Sequence, residues 1–331
     1  TTTYFDSPTD LRCRIAQSTL RNLNKFNIPT IVVDASPPSS GVYEALQAAD
    51  DGKGMIQVHK QVKNGGGKGV ALREAMTHAL QLPGVTQNTW LCFQEPEKTH
   101  MAYHWNQIFR NLPIDLKNSG IVIPKRTEKL FQETYPIEQF HEEMFGNMYL
   151  DTVAQAALSS SSSSSINLPP IDWLFGPFAL RAKHAPLWLS YAGTSYDAQI
   201  IPCVQGIRHG IVTTSLNIDF KARAEMKAME EGDIDFVTKR LKQLEIWEGM
   251  IDRAWKDALM PLPPPFVDAG SFFEKGGKNY VWSGSHGDFF LMWGSFVLVL
   301  VFYYSNKYRR RIVFKKKHSF DLSTLKGRSS N

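Results

Sequence analysis

Two glutamates flank a proline in the segment Trp90–Lys98, which has the sequence WLCFQEPEK. Glu95 and Glu97 follow an apolar run that is typical of a buried strand. Carboxylate oxygens are the ligands that Mg²⁺ takes together with substrate phosphates. The segment therefore predicts a divalent-cation site at the end of a strand, although a solvated acidic loop accounts for the same residues. Lys98 offers a third interpretation, because its ammonium group could neutralise a phosphate directly.

A second segment with potential chemistry is the glycine-rich run NGGGKG at residues 64–69. It lacks the P-loop pattern, because Gly69 and not Ser or Thr follows the lysine, and this disfavours a kinase or an ATPase. Glycines that open a helix still let backbone N–H groups approach a diphosphate, and Lys68 adds a positive charge. Arg73, one turn further on, either adds charge or faces water. Glycine loops are also common as simple turns.

Strand-like and helix-like segments alternate along the first third of the chain. We predict strands at Pro29–Asp34, Met55–His59, Thr89–Phe93 and Gly120–Pro124, and helices at Val42–Ala49 and Val70–Leu80. Such alternation predicts an α/β fold with a mostly parallel sheet flanked by helices. Ligands bind these sheets beyond the carboxyl ends of the strands. Asp34, the glycine segment and the Glu-Pro-Glu motif should therefore lie at one edge.

The second half of the chain gives fewer signals. Seven consecutive serines, at residues 159–165, predict a flexible surface loop. Apolar residues at steps of three and four predict an amphipathic helix that starts near Asp233 and continues to Trp255. A further strand is expected near Gly210–Thr214.

The C-terminal region combines a hydrophobic segment with a basic tail. Residues 289–304 carry no charge, and this length is slightly below the roughly 17–25 residues of a membrane-spanning helix. Basic residues follow at once, which favours a transmembrane or interfacial segment at 289–305 over a buried core segment. We therefore divide the region into a Pro/Gly-rich linker at 261–288, this segment, and a basic tail at 306–331.

The charge distribution bears on partners and location. The tail from residue 305 onward holds nine Lys/Arg and one Asp, which exceeds the chain's whole net charge of +5. The body is therefore mildly acidic, and nucleic acid is not an expected partner. Attachment through residues 289–317 predicts a membrane-associated protein, at an endomembrane (Golgi or ER) or at the plasma membrane. The side of the membrane stays open, because a spanning and an interfacial segment place the body differently.

Taken in order, the segments IPTIVVDAS and GGGKGVALREAM and the acidic motif after Phe93 resemble the nucleotide-diphospho-sugar transferases of the GT-A fold. The resemblance covers roughly residues 1–245. It implies a catalytic domain at 1–260, with a donor-binding half at 1–126 and an acceptor half at 166–260.

The resemblance also implies roles for particular residues. In that family an acid after the first strand reads the nucleotide base, a glycine-and-basic segment lies near the nucleotide, and an Asp-x-Asp motif binds Mn²⁺ or Mg²⁺ against the diphosphate. The donor-binding positions here are Asp34, Ser36, Gly67, Lys68, Gly69, Arg73 and Trp173, and the metal positions are Glu95, Glu97 and His209. The Glu-Pro-Glu sequence departs from the family pattern, since glutamates are longer and proline stiffens the residue between them.

The acceptor half resembles the same family at residues 176–181 and 194–199. There Asp197 matches the acid that takes the proton of the acceptor hydroxyl, and Asp172 is a second candidate. Two alternatives stay open, with Asp197 as a helix N-cap and Trp173 as a packing residue.

These expectations combine into a metal-assisted glycosyltransferase, in particular a hexosyltransferase. It would transfer a sugar from a UDP- or GDP-linked donor to a hydroxyl group of a glycan or lipid. One alternative is a membrane-tethered nucleotide- or sugar-binding protein of the same fold without catalysis. Another is a nucleotidyltransferase, which would need a glycine loop directly after the first strand, where residues 35–39 have the sequence ASPPS.

Overall fold

The structure is a computed structural model that describes residues 1–62, 66–110, 116, 118–161 and 168–259. The strands of this described part are β1 (Thr2–Thr3), β2 (Thr30–Asp34), β3 (Ile56–Lys60), β4 (Trp90–Phe93), β5 (Ile121–Arg126), β6 (Phe178–Arg181) and β7 (Thr213–Ile218). The helices are α1 (Leu11–Lys25), α2 (Val42–Gln47), α3 (Gly67–Leu80), α4 (Met101–Arg110), α5 (Glu128–Thr134), α6 (Ile137–Ser161), α7 (Pro186–Ser190), α8 (Asp197–Arg208), α9 (Ala224–Glu230) and α10 (Ile234–Leu259).

The strands form two sheets. The first has the order β1-β2-β3 and is parallel throughout. The second has the order β4-β6-β5-β7, in which β6 runs antiparallel to both neighbours and β5 runs parallel to β7. The chain is therefore an α/β protein with flanking helices, as predicted, but its described strands form a parallel three-stranded sheet and a separate mixed sheet rather than one mostly parallel sheet.

Strand β2 shows why the sequence folds in this way. Its five residues, TIVVD, are all buried, and β-branched side chains suit a strand that is covered on both faces. Ile31 and Val33 pack against Ala71 and Ala75 of α3. Val32 lies in a separate cluster with residues of α1 and α2. Helices on both faces therefore fix β2 in the interior, with its carboxyl end at the edge.

The second sheet is also covered on both faces. Ile121 and Leu180 lie in one cluster with buried residues of α3, α6 and α8. Val122 and Ala179 lie in another, with buried residues of α4 and α5. Because α3 packs against β2 and also belongs to the first of these clusters, it links the two sheets.

All four predicted strands of the first third are confirmed within two residues, as β2 to β5. The later strand is confirmed as β7, three residues beyond its expected start. The long C-terminal helix is confirmed as α10, and the Asp233 carboxylate accepts a hydrogen bond from the backbone N–H of Phe236 at 2.8 Å. Sequence reasoning misses β1 and β6.

The predicted serine loop is wrong for its first three residues, because Ser159–Ser161 form the end of α6. Extending an existing helix by three residues needs no new nucleus, so even serine can continue α6. The remaining serines lie outside the described residues. So do the predicted linker at 261–288, the hydrophobic segment at 289–305 and the basic tail at 306–331. Among the helices that the structure describes, none is both long and apolar enough to cross a membrane.

Candidate functional site

A path of hydrogen bonds joins the carboxyl ends of β2, β3 and β4 at the start of α3. Gln61, directly after β3, donates its backbone N–H to the Asp34 carbonyl at 2.8 Å. Its side-chain amide donates to the Gly67 carbonyl at 3.3 Å. The Lys68 ammonium then donates to Oε1 of Glu95 at 2.9 Å. Asp34, Lys68 and Glu95 are therefore brought to one edge of the fold, as predicted, although β4 belongs to the mixed sheet and not to the parallel one.

The Asp34 carboxylate ties the end of β1 to the segment that follows β2. Its Oδ1 accepts hydrogen bonds from the hydroxyl of Thr3 at 2.7 Å and from the hydroxyl of Ser36 at 2.6 Å. The Ser36 hydroxyl in turn accepts from the backbone N–H of Phe5 at 2.9 Å. Asp34 is 4% exposed. The two donor-binding positions Asp34 and Ser36 thus form one rigid unit at the edge.

Glu95 lies between two lysines. Its Oε1 is 2.9 Å from the Lys68 ammonium, and its Oε2 is 3.5 Å from the Lys98 ammonium. Burial alone raises the pKa of Glu95, but the two lysines more than offset this and the net pKa is lowered. Glu95 is therefore an ionised carboxylate held by two cations.

The local backbone explains this pairing. The N–H of Lys98 donates to the Glu95 carbonyl at 3.2 Å, which closes a turn over four residues. Proline is favoured at the second position of such a turn because its φ is already fixed. The first and fourth side chains, Glu95 and Lys98, meet across the turn. Pro96 therefore brings Glu95 to Lys98.

Glu97 has different neighbours. Burial raises the pKa of Glu97, while Arg12 of α1 acts on its carboxyl group more strongly than Glu95 does. The charge of Glu97 also acts on the pKa of Lys239 in α10, where it opposes the lowering by burial. Lys98 acts on both glutamates, but in the described part of the chain only Glu95 forms ion pairs with Lys68 and Lys98.

The third predicted metal position is remote from this edge. His209 follows the last residue of α8, and its backbone N–H donates to the Gln205 carbonyl at 3.0 Å. The helix separates His209 from Asp197 by about 18 Å along its axis. Within the described ranges no group of three or more His, Cys, Asp or Glu side chains could hold a metal ion. The structure therefore places His209 at the opposite end of α8 from the edge that holds Glu95 and Glu97.

The two glycines of α3 serve close packing. The N–H of Gly69 donates to the Thr194 carbonyl at 3.0 Å. A Cβ atom on Gly67 would collide with the Thr194 carbonyl, and one on Gly69 would collide with the Gly193 carbonyl. Gly67 also has a φ of +75°, which favours glycine. Backbone carbonyls of the 191–196 loop occupy the place that the sequence suggested for a phosphate.

Arg73 fixes the same loop. Its Nη1 donates to the carbonyls of Tyr191 and Gly193, each at 2.7 Å. Because its guanidinium group is engaged in this way, Arg73 is placed as a structural clamp and not as a free charge facing a donor.

Asp197 is the first residue of α8 and is only 2% exposed. Its Oδ1 accepts from the backbone N–H of Ser195, and its Oδ2 accepts from the hydroxyl of Tyr191, both at 3.0 Å. The N-cap of α8 is Tyr196, so the N-cap alternative for Asp197 is wrong. The Lys68 ammonium lies 4.4 Å from the centre of the Tyr196 ring, which puts residues 194–199 beside the edge that holds Lys68 and Glu95.

Asp172 and Trp173 lie in the interior. The Asp172 carboxylate takes two hydrogen bonds from the Arg126 guanidinium, at 2.7 and 2.8 Å, and one from the Asn147 amide at 2.8 Å. The Trp173 indole donates to the Asp151 carboxylate at 2.8 Å. Each of the two residues is 4% exposed. The structure does not bring Asp172 to the edge that holds Lys68 and Glu95, and it gives Trp173 the packing role that the sequence left open.

Sequence reasoning misses two residues that shape the edge. Gln61 connects β2 to α3, as described above. Gly176, with a φ of +97°, lies so close to Glu95 that a Cβ atom there would collide with both carboxylate oxygens. An amide directly after a predicted strand is a signal that could identify Gln61, whereas nothing local marks the contact of Gly176 with Glu95.

A cavity of about 630 Å³ lies elsewhere in the fold. Thr30 and Ile31, at the amino end of β2, line it together with Leu91 and Cys92 of β4. It has no charged side chain in its lining, so it does not offer the groups that a diphosphate requires.

Comparison with known proteins adds no assignment, since neither a protein-family model nor a curated protein matches this chain. Its function therefore has to be inferred from the geometry of the edge.

Proposed function

We propose that this chain is a glycosyltransferase of the GT-A fold, which transfers a sugar, in particular a hexose, from a nucleotide-diphosphate donor to a hydroxyl acceptor. The observation that carries the proposal is the meeting of Lys68, Glu95 and the Asp197 loop at the carboxyl edge of the strands. Ligands of α/β sheets bind at such edges. Cations beside a reacting centre stabilise a phosphate leaving group.

The donor would extend along the hydrogen-bonded path from β2 to β4. The unit formed by Asp34 and Ser36 offers acceptor oxygens for the nucleoside. Gln61 spans the distance from this unit to the start of α3. Lys68 and Lys98 supply the positive charge that a diphosphate needs. UDP- and GDP-linked sugars both fit this chemistry.

The transfer itself needs a leaving group and a base. The acceptor oxygen attacks the anomeric carbon as the bond from that carbon to the diphosphate oxygen breaks, through an oxocarbenium-like transition state. The diphosphate leaves with the bonding electrons, and the lysines neutralise its charge. Asp197 receives the acceptor proton. Because Asp197 is buried, the proton passes through the Tyr191 hydroxyl, which gives its own proton to Oδ2 as it takes the new one.

Membrane attachment belongs to the same proposal. Residues 289–317, which lie outside the described residues, would hold the protein at a membrane of the Golgi, the ER or the cell surface. A glycan or a lipid would then supply the acceptor hydroxyl.

One observation favours a second candidate, a nucleotide- or sugar-binding protein of the same fold without catalysis. Both carboxylate oxygens of Asp197 are already engaged, and the side chain is shielded from solvent. Binding of a nucleotide without any sugar transfer is the outcome expected for this candidate.

The test is a calorimetric titration of the full chain, in detergent, with UDP and with GDP. We expect one nucleotide to bind, and we expect Asp34→Asn to weaken binding by about tenfold, because each lost charge-assisted hydrogen bond contributes roughly 1.5 kcal/mol. The exposed Asp6→Asn is the matched control. Release of the nucleotide from its sugar conjugates then separates the transferase from the binding protein. If wild type binds neither nucleotide, the proposed function is refuted.

A further inference from the structure

We propose that Lys68 and Lys98 bind the donor's diphosphate directly, with Glu95 as a built-in counter-ion, and that the site works without a divalent cation. This inference rests on the proposed function and specifies how its donor is held. It opposes the metal site that the Glu-Pro-Glu sequence suggests.

The two carboxylates of the motif have different contacts. The turn closed by the Lys98 N–H and the Glu95 carbonyl sets Glu95 against Lys98. In the described part of the chain Glu95 forms ion pairs with Lys68 and Lys98, whereas Glu97 forms none with either lysine. A cation at this edge would have one carboxylate, Glu95, and would have to displace an ammonium group from each of its oxygens. Two ammonium groups repel a divalent cation at such distances.

The two lysines also retain unused hydrogen-bonding capacity. Each ammonium group has three N–H donors. In the described part of the chain, Lys68 makes a single hydrogen bond, to Glu95. Lys98 approaches the other carboxylate oxygen only at 3.5 Å, and this buried Oε2 has no hydrogen-bond partner. The pair therefore has donors left for phosphate oxygens.

Aromatic rings hold both lysines in place independently of Glu95. The Lys68 ammonium lies 4.4 Å from the centre of the Tyr196 ring. The Lys98 ammonium lies 4.6 Å from the centre of the Phe175 ring. Ring faces attract cations, most strongly where water is excluded. Burial lowers the pKa of Lys98, but Tyr135 and Glu95 more than offset this and the net pKa is raised. Both cations are therefore positioned before a ligand arrives.

The role of Glu95 follows from these contacts. Its carboxylate occupies the position between two cations that an anionic ligand would take, and Gly176 leaves room for it. Without a ligand it balances part of the positive charge and stabilises the two lysines. With a diphosphate bound, the same negative charge opposes binding. Removing that charge should therefore strengthen diphosphate binding. If Glu95 were instead a metal ligand, removing its charge would weaken diphosphate binding.

The test uses the full chain in detergent, titrated with UDP, GDP and inorganic pyrophosphate, each with EDTA and with Mn²⁺. We expect binding in EDTA that Mn²⁺ does not improve. We expect Glu95→Gln to tighten it by about fivefold, because a partly exposed like charge is worth roughly 1 kcal/mol. Lys68→Met and Lys98→Met should each weaken binding by about tenfold or more, through loss of a charge-assisted hydrogen bond. Glu97→Gln, the matched control, should leave binding unchanged.

The outcomes separate this inference from the proposed function. Nucleotide binding that requires Mn²⁺ and is lost in Glu95→Gln overturns the lysine site and leaves the transferase proposal standing. Absence of nucleotide binding under both conditions overturns both. The comparison of EDTA with Mn²⁺ on wild type decides between metal and lysines even if a variant fails to fold.

Discussion

Replacing Asp172 with asparagine removes one charge from a buried ion pair and keeps the size of the side chain. The Asp172 carboxylate accepts hydrogen bonds from Nε and Nη2 of Arg126 and from the Arg126 backbone N–H. The Asn147 amide donates to the same group. The NH₂ group of the asparagine would face the N–H groups of Arg126 or Asn147, which are also donors. At least one of these hydrogen bonds is therefore replaced by a repulsive contact.

The expected loss of stability is large. Breaking a buried ion pair by removing one partner costs about 3–5 kcal/mol, because the remaining charge stays buried. Glu143, whose Oε2 lies 2.7 Å from Nη2 of Arg126, still compensates part of that charge, so the lower end is expected. For a domain of this size, about 3 kcal/mol corresponds to a fall of roughly 6–12 °C in Tm.

The pH dependence gives a second readout. Burial raises the pKa of Asp172, but Arg126 more than offsets it and the folded-state pKa is lowered below 3.8. The stabilising contribution is therefore fully present above pH 3.8 and is lost as the pH falls through the lower folded value. The stability difference between wild type and Asp172→Asn should be constant near neutral pH and should shrink below about pH 4.

The assay is urea unfolding followed by tryptophan fluorescence, with Asp6→Asn as the exposed control. Nucleotide affinity per folded molecule should not change in Asp172→Asn. A variant as stable as wild type that has lost sugar transfer would refute this reasoning and restore Asp172 as a reacting group.

Two further predictions concern other carboxylates. Burial raises the pKa of Glu142 to about 8, so its stabilising contribution is fully present below pH 4.5 and is lost as the pH rises towards 8. Glu142→Gln should therefore unfold at higher urea concentration than wild type at pH 8. The gain in free energy of unfolding should be on the order of 2 kcal/mol at pH 8 and should disappear near pH 5. The same difference in stability between variant and wild type at both pH values would contradict a buried, protonated Glu142. Asp197→Asn should retain nucleotide binding and lose sugar transfer by about 100-fold or more, the usual contribution of a general base; full transfer activity in that variant would restrict Asp197 to holding the 191–196 loop.

Much of the fold follows from local sequence. The run TIVVD has the β-branched composition of a strand buried on both faces, and β2 forms there. The spacing of apolar residues after Asp233 predicts α10 because a helix places every third or fourth residue on one face. β1 cannot be predicted because a strand of two residues is too short to show an alternation of apolar and polar side chains. β6 escapes because its four residues look like a continuation of the Trp173–Phe175 segment, and only pairing with β4 and β5 makes them a strand.

The site divides in the same way. The sequence by itself determined that acidic and basic groups follow buried strands, and hence that Asp34, Lys68 and Glu95 share one edge. Only the tertiary structure decided their partners. Glu95 pairs with a lysine 27 residues away, and Arg73 holds carbonyls more than 100 residues away. Hydrogen bonds and ion pairs depend on distances of about 3 Å, which the spacing of residues along a chain does not specify.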